Sequence, residues 1–325
     1  MRGGALRIAG YVAGVLMSAV SAALLFRHLG HVYVGFYVLA QSLIAIVDAL
    51  ADLGLTAIGI RELSLRQGAD RAVIVRNLMG LRIVGTVVGV LIAAGFGVVV
   101  GYRQIVVEGV LVAGVGLLLQ CMQASLSISL LSRLRLGWVT VIELMRQLIL
   151  MMLVILLVVL GAGLLPFLAV TAPAAGAVLV ATAVLVRGDV PLRPSFDRRE
   201  WHRLILLVLP YSAAVAASTL YFRLGVIVVS LLDSSQLGYF SASFRVVEAL
   251  IAIPALAVQV VLPVFTRSAR DDRDRLGYGV NRVFHVNVLI GVWVALCFAI
   301  GAHLAIRILG NATFAPAAPI LAIQG

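Results

Sequence analysis

Long apolar runs separated by short polar gaps organise this chain from end to end. Nine runs reach the ~20 residues that a membrane-spanning helix needs: Leu6–Phe26, Tyr33–Ile60, Asn77–Gly101, Ile105–Leu131, Val139–Gly161, Leu164–Val186, Leu204–Leu232, Gly238–Phe265 and Val280–Leu309. A tenth starts near Ala315 and is unfinished at Gly325, which sets the expectation of a piece of a longer protein. The runs are continuous rather than alternating, and an open sheet edge in lipid would leave backbone groups unpaired. The pattern predicts an all-α fold, a polytopic transmembrane helix bundle. Arg2 and Arg7 ahead of the first run also suit a signal peptide, but the run is long for one and feeds directly into a second span. It is expected to be an uncleaved helix.

The polar gaps are of two kinds. All 25 basic residues are arginine, and about twenty of them lie at the N-terminus and in every second gap. The intervening gaps hold only Arg27, Arg103 and Arg307. Short basic loops resist translocation, so the alternation predicts a cytoplasmic N-terminus and odd-numbered loops on the outer side. The longest basic gap, Arg187–Arg203, contains Pro191, Pro194 and the amphipathic stretch Phe196–Leu207. It divides the chain into residues 1–187, an N-terminal lobe of six helices; 188–203, a cytoplasmic amphipathic linker; and 204–325, a partial C-terminal lobe. Val34-Gly35-Phe36-Tyr37 opens the second run and Leu237-Gly238-Tyr239-Phe240 opens the eighth, in matching contexts. Two pseudo-symmetric lobes of this kind, the second truncated, are an arrangement typical of transporters.

Several local patterns resemble polysaccharide-biosynthesis flippases of the multidrug/oligosaccharidyl-lipid/polysaccharide superfamily. They are Arg27-His28-Leu29-Gly30 before Val34-Gly35-Phe36-Tyr37, and Leu53-Gly54-Leu55 leading to Arg61-Glu62-Leu63-Ser64. In the second half they are Tyr221-Phe222-Arg223, Leu237-Gly238-Tyr239-Phe240, Arg245-Val246-Val247-Glu248 and Phe314-Ala315-Pro316-Ala317-Ala318-Pro319. The resemblance covers the whole chain and specifies a family better than a cargo. It implies a non-enzymatic protein of a prokaryotic cytoplasmic membrane that moves a lipid-linked sugar, with glycan-assembly proteins as further partners.

Composition excludes most other classes. A 62% hydrophobic share, 12% charged residues and a mean hydropathy of +1.13 lie far from the soluble norm of ~45–50% apolar and ~25% charged. The formal charge of +11 does not point to nucleic acid, because the arginines flank apolar spans without interleaved aromatics. Anionic lipid headgroups suit them better. Cys121 and Cys297 lie inside apolar runs, too few for a metal site or a disulfide framework, and no cofactor motif is present.

Charges inside the spans carry the functional argument, since an ionisable group at the bilayer centre costs at least ~2.5–3.5 kcal/mol. Ser241, Arg245, Glu248, Ala252 and Gln259 follow helical spacing as one stripe of the eighth run. At ~1.5 Å per residue, Arg245 lies ~10 Å from the outer end of its span and Arg223 ~13 Å from the same end. The two guanidinium groups are therefore expected to line one cavity, where planar forks bind phosphate oxygens bidentately. The competing reading pairs Arg245 with Glu248 three residues on and lets Arg223 snorkel to the interface. Asp48 and Asp52 share a face of the second run with Gln41. They either bind a coupling Na⁺ or proton, or pair with Arg82 or Arg146. Gln120, Gln123 and Ser127 stripe the fourth run as interhelical hydrogen bonds.

The first function hypothesis is a flippase for an undecaprenyl-pyrophosphate-linked oligosaccharide or polysaccharide repeat unit. The alternatives are a drug or cation antiporter of the same superfamily and a membrane-embedded glycan polymerase or ligase. Arginines in the cavity would repel a cationic cargo, and outer loops of a few residues leave little room for catalytic groups. The arginine alternation generates the first prediction. In a variant lacking native cysteines, cysteines placed at Ser64, Ser132, Ser195 and Ser268 should all resist an impermeant thiol reagent added outside intact cells and react after permeabilisation. Labelling of any one from outside would overturn the topology.

Overall fold

The computed structural model describes residues 2–52, 54–65, 69–133, 135–187, 194–250, 273–310 and 312–324. Among these residues every regular element is helical: α1 Arg2–Asp52, α2 Leu55–Leu65, α3 Ala69–Val100, α4 Gln104–Ser132, α5 Leu136–Val159, α6 Leu164–Ala169, α7 Thr171–Val186 and α8 Arg198–Leu232. They continue with α9 at residues 237–250, α10 Arg273–Leu309, a 3₁₀ turn Ala312–Phe314 and α11 Ala317–Gln324. Among the described residues seven helical stretches are long and apolar enough to cross a membrane. Helices are the expected answer to lipid, because each satisfies its own backbone.

The first of the seven, Ala13–Leu63, would be far too long as a single rod for the ~30 Å hydrocarbon core. The chain reverses inside it at Gly30, whose φ of 72° and ψ of 171° break the helix. Only glycine adopts that conformation without strain. The consequence is visible in packing, since Ser18 and Gln41 line one cavity although a straight helix would separate them by ~35 Å. The two expected runs are therefore two passes, but residues 27–32 are helical turns around one glycine rather than a loop. The second run also breaks earlier than its expected end at Ile60: Gly54, with φ 77°, separates α1 from α2.

Two other boundaries differ from expectation. The Leu164–Val186 run is split at Val170 into α6 and α7. The helix of the seventh run, α8, starts at Arg198, ahead of the expected Leu204, so the last six residues of the supposed linker are helix. Asp197 caps it by accepting from the Arg199 amide at 2.9 Å. Phe196 and Trp201 pack edge to face at 5.8 Å, a hydrophobic staple across the N-terminus. At the other end of α8, Asp233 accepts from the Ser235 hydroxyl at 2.6 Å and amide at 2.8 Å, which holds its carboxyl below the usual range. Residues 188–193 with Pro191, the rest of the eighth run with Ala252, Pro254, Gln259 and Pro263, and Ser268 beyond it lie outside the described residues.

The two kinds of polar gap lie at opposite ends of the bundle. At the arginine-poor end, His28 bonds the Ala162 carbonyl at 2.9 Å, and the Arg103 guanidinium lies over the Phe36 ring. Arg27 Nη2 donates to the Ile308 carbonyl at 2.8 Å, answering an orphan acceptor at the C-terminus of α10. At the arginine-rich end, the Ser195 amide donates to the Arg76 carbonyl at 3.0 Å. There Arg71 donates to Ser132 at 2.9 Å, and Arg203 approaches Glu62 at 3.5 Å. A large core runs through α1, α4, α6, α9 and α10, and a smaller one, including Leu63, Leu78, Ile128 and Val208, closes the arginine-rich end.

The matching motifs of the second and eighth runs meet directly. A Cβ on Gly35 would stand 2.9 Å from the Gly238 nitrogen, and one on Gly238 would collide with the His31 carbonyl. Beside this crossing the His31 and Tyr239 rings stack at 5.1 Å. Gly238→Ala is therefore expected to destabilise the protein by about 1–3 kcal/mol, as over-packing does. Gly95→Ala, at a helical position with open space around it, should leave the melting temperature unchanged or raised. Thermal unfolding in detergent compares the two; equal behaviour would mean that the crossing is not tight.

Candidate functional site

Both passes of α1, together with α4, α5, α6, α8 and α9, enclose a cavity of about 370 Å³. Its polar lining comes from single residues on otherwise apolar helices. Tyr37, Gln41 and Asp48 follow one face of the second pass at helical spacing, and Ser18 and Ser21 face them from the first. Arg223, Arg245 and Glu248 close the other side.

These last three form one cluster. Arg223 Nη2 donates to Glu248 Oε1 at 2.5 Å, and Arg245 Nη1 donates to Glu248 Oε2 at 2.7 Å. Arg245 Nη2 also reaches Ser18 Oγ at 3.3 Å, tying α9 to the first pass of α1. The Arg223 guanidinium lies 5.6 Å from the Phe244 ring centre and 5.8 Å from that of Phe222, where a cation is attracted to the ring faces. The side chains remain 17%, 39% and 24% exposed for Arg223, Arg245 and Glu248. Two guanidinium groups against one carboxylate leave a net positive charge at a point inside the span Ala213–Leu232. The structure thus brings together both arginines, as the depth arithmetic expected, and makes Glu248 a partner to both rather than to Arg245 alone. Arg223 does not snorkel to an interface. Ser241, on the same stripe, is fully buried instead, its hydroxyl without a partner among the described residues.

The two aspartates part company. Asp52 forms a salt bridge with Arg82. Thr56 donates to Asp52 at 2.8 Å and accepts from Arg82 at 2.6 Å, while Arg82 Nη1 donates to Ser125 at 3.2 Å. Arg82 is 1% exposed, so this network satisfies a wholly buried guanidinium. Asp48 lines the cavity and has no salt bridge among the described residues; its hydrogen bond there is a long one from the Cys121 thiol, 3.9 Å. Arg146, the other expected partner, pairs with Glu143 on its own helix at 2.5 Å. On α4, Gln123 donates to Ser127 at 2.8 Å and to Thr182 of α7 at 3.3 Å, which is interhelical bonding, whereas Gln120 lines the cavity.

A second, more apolar groove of about 790 Å³ adjoins the cavity and shares Ser18, Ala22, Gln147, Arg245 and Glu248 with it. Its walls are the first pass of α1, α5, α9 and the end of α10. Ser18, Tyr37 and the Phe222–Phe244 pair were not identified as site residues from sequence. The adjacency of Phe222 to Arg223 was the available signal, but Phe244 reaches it only through packing of α9 on α8. Among the described residues no group of three or more His, Cys, Asp or Glu side chains suits a metal ion.

Comparison with known proteins agrees with this architecture. Residues 1–269 match the polysaccharide biosynthesis protein family, and the chain belongs to it. Among solved structures, the chain is similar to one described as the inward-facing conformation of a multidrug resistance MATE family transporter of the MOP superfamily. The TM-score is 0.65 at 13% identity, over 98% of this chain and 76% of that one. At such identity the likeness establishes the fold alone, an all-helical multi-span membrane bundle. No curated protein matches the chain.

The Arg82 network gives a stability prediction. Asp52→Asn leaves a buried guanidinium without its counter-charge. Because Asp52 itself is 41% exposed, the loss should fall near the low end of the ~3–5 kcal/mol for breaking a buried pair. Glu143→Gln breaks a more exposed pair and should cost about 0.5 kcal/mol or less. Unfolding measurements that rank the two in the opposite order would remove Arg82–Asp52 from the fold's main supports.

Proposed function

We propose that this polysaccharide biosynthesis protein is a flippase, moving an undecaprenyl-pyrophosphate-linked oligosaccharide or polysaccharide repeat unit across a prokaryotic cytoplasmic membrane by alternating access. The observation that carries the reading is the convergence of Arg223 and Arg245, from two helices, on one point of a polar cavity within the spans. Guanidinium forks remain charged when desolvated and match phosphate oxygens. A charge pair at ~4 Å is worth about 4 kcal/mol at an effective dielectric near 20, which offsets part of the cost of taking an anionic headgroup out of water. The adjoining apolar groove supports the other half of the reading: the polyprenyl tail stays in hydrocarbon while the headgroup occupies the cavity.

Residues 1–187 and 204–325 act in this scheme as two lobes that rock about the 188–203 linker, with the arginine-rich end in the cytoplasm. The Gly35–Gly238 crossing then belongs to the outer closure. Asp48, which lines the cavity without a salt bridge among the described residues, is the residue best placed to couple an ion gradient to the movement. Anionic lipids hold the basic end, and glycan-assembly proteins supply and consume the cargo. Net positive charge at Arg223 and Arg245 argues against a cationic drug as cargo.

Full-length protein carrying Arg223→Ala or Arg245→Ala is expected to lose complementation of a flippase-deficient strain at undiminished membrane abundance. Arg→Lys should restore only part of it, since an ammonium keeps the charge but loses the bidentate fork. Normal sugar export by a well-expressed double alanine variant would sink the anion-site reading.

A further inference from the structure

We infer that Glu248 is an internal counter-anion: the cargo must displace it on loading, and it displaces the cargo on release. This rests on the anion-site reading above. The Glu248 carboxylate engages both guanidinium groups at once, one oxygen to each, at 2.5 Å and 2.7 Å. A phosphate would present the same pair of acceptor oxygens to the same two donors, so cargo and Glu248 compete for one position.

The surroundings suit an exchange. Arg223 is held by the Phe222 and Phe244 rings and Arg245 by Ser18, so both cations keep a contact when the carboxylate leaves. Glu248 lines both the polar cavity and the adjoining groove. Rotation about its side-chain bonds moves it from one towards the other without moving α9. Glu143, Arg146 and Gln147 of α5 and Ser18 of α1 border the same space.

Competition of this kind answers a requirement of any carrier, that a site bind well enough to load and weakly enough to empty. Two unopposed arginines would hold a pyrophosphate tightly. A tethered carboxylate lowers the apparent affinity by the fraction of time the two forks are free. It carries one negative charge against one on each phosphate of a lipid- and sugar-linked pyrophosphate, so the headgroup wins at the loading side and Glu248 recaptures the arginines as the headgroup leaves.

The test uses the full-length protein in lipid nanodiscs, titrated with inorganic pyrophosphate and followed by calorimetry. Glu248→Gln keeps the shape and removes the charge. If the forks are free for about a tenth of the time, the variant should bind pyrophosphate about tenfold more tightly, and the same pyrophosphate concentration should raise its melting temperature further. Sugar export by that variant should show KM and kcat falling together as release becomes limiting. Glu248→Asp keeps the charge but is one methylene too short to bridge both arginines. It should give an intermediate affinity, and it decides the matter if Glu248→Gln folds poorly. Pyrophosphate binding no tighter in either variant, yet still lost in Arg223→Ala, would overturn the competitor role and leave the anion site standing. Binding that is absent from every form, or indifferent to both arginines, would overturn the anion site and this inference with it.

Discussion

Charge in a medium that cannot solvate it is the constraint on which the rest of this structure depends. The spans are apolar enough to need lipid, and the arginines inside them must be answered from within the bundle. Arg82 is answered completely, by Asp52, Thr56 and Ser125, and is buried to 1%. Arg223 and Arg245 share a single carboxylate. The first arrangement is closed and links α1, α2, α3 and α4; the second is left one negative charge short and opens on a cavity. The contrast between a satisfied guanidinium and an under-satisfied pair separates a structural network from a binding site on physical grounds.

Close approach of backbones makes that cavity possible. Gly35 meets Gly238 where α9 crosses the second pass of α1, and Gly89 of α3 admits Val47 of that same pass. With side chains at these points the helices would stand further apart, and Arg245 would not reach Ser18. Tight packing of small residues is a normal means of helix association in lipid, where apolar burial supplies little drive. Here it also brings α8 and α9 against both passes of α1, so one helix pair contributes the cations and the other the hydroxyls and amides.

The Gly30 reversal completes the arrangement. It folds a continuous helical stretch back on itself, which places Ser18 and Gln41 on opposite walls of one cavity. Among the described residues, three of the four left-handed glycines, Gly30, Gly101 and Gly161, lie in or at the edge of the arginine-poor gaps. Those turns are compact and joined to one another by His28 and Arg103. The arginine-rich end is built differently, around an amphipathic entry into α8 fixed by Asp197, Phe196 and Trp201.

Much of this was legible in the sequence because apolar length and arginine spacing are one-dimensional signals. Run length determined the helical class, since lipid admits few other backbones, and the alternation of arginines anticipated which gaps share an end of the bundle. Helical rise alone put Arg223 and Arg245 at similar depth. The boundary of α8 was also written in Asp197-Arg198-Arg199-Glu200, a capping pattern overshadowed by the prolines before it. Tertiary structure alone decided the pairings. Sequence spacing offered Arg245 to Glu248 and either Arg82 or Arg146 to the aspartates, but not that Arg223 would join the first or that Asp48 would be left without a salt bridge. A salt bridge forms between side-chain ends a few ångströms apart, and their positions depend on how helices distant in sequence cross. A periodicity fixes the face and depth of a residue on its own helix, and only packing decides which neighbour that face meets.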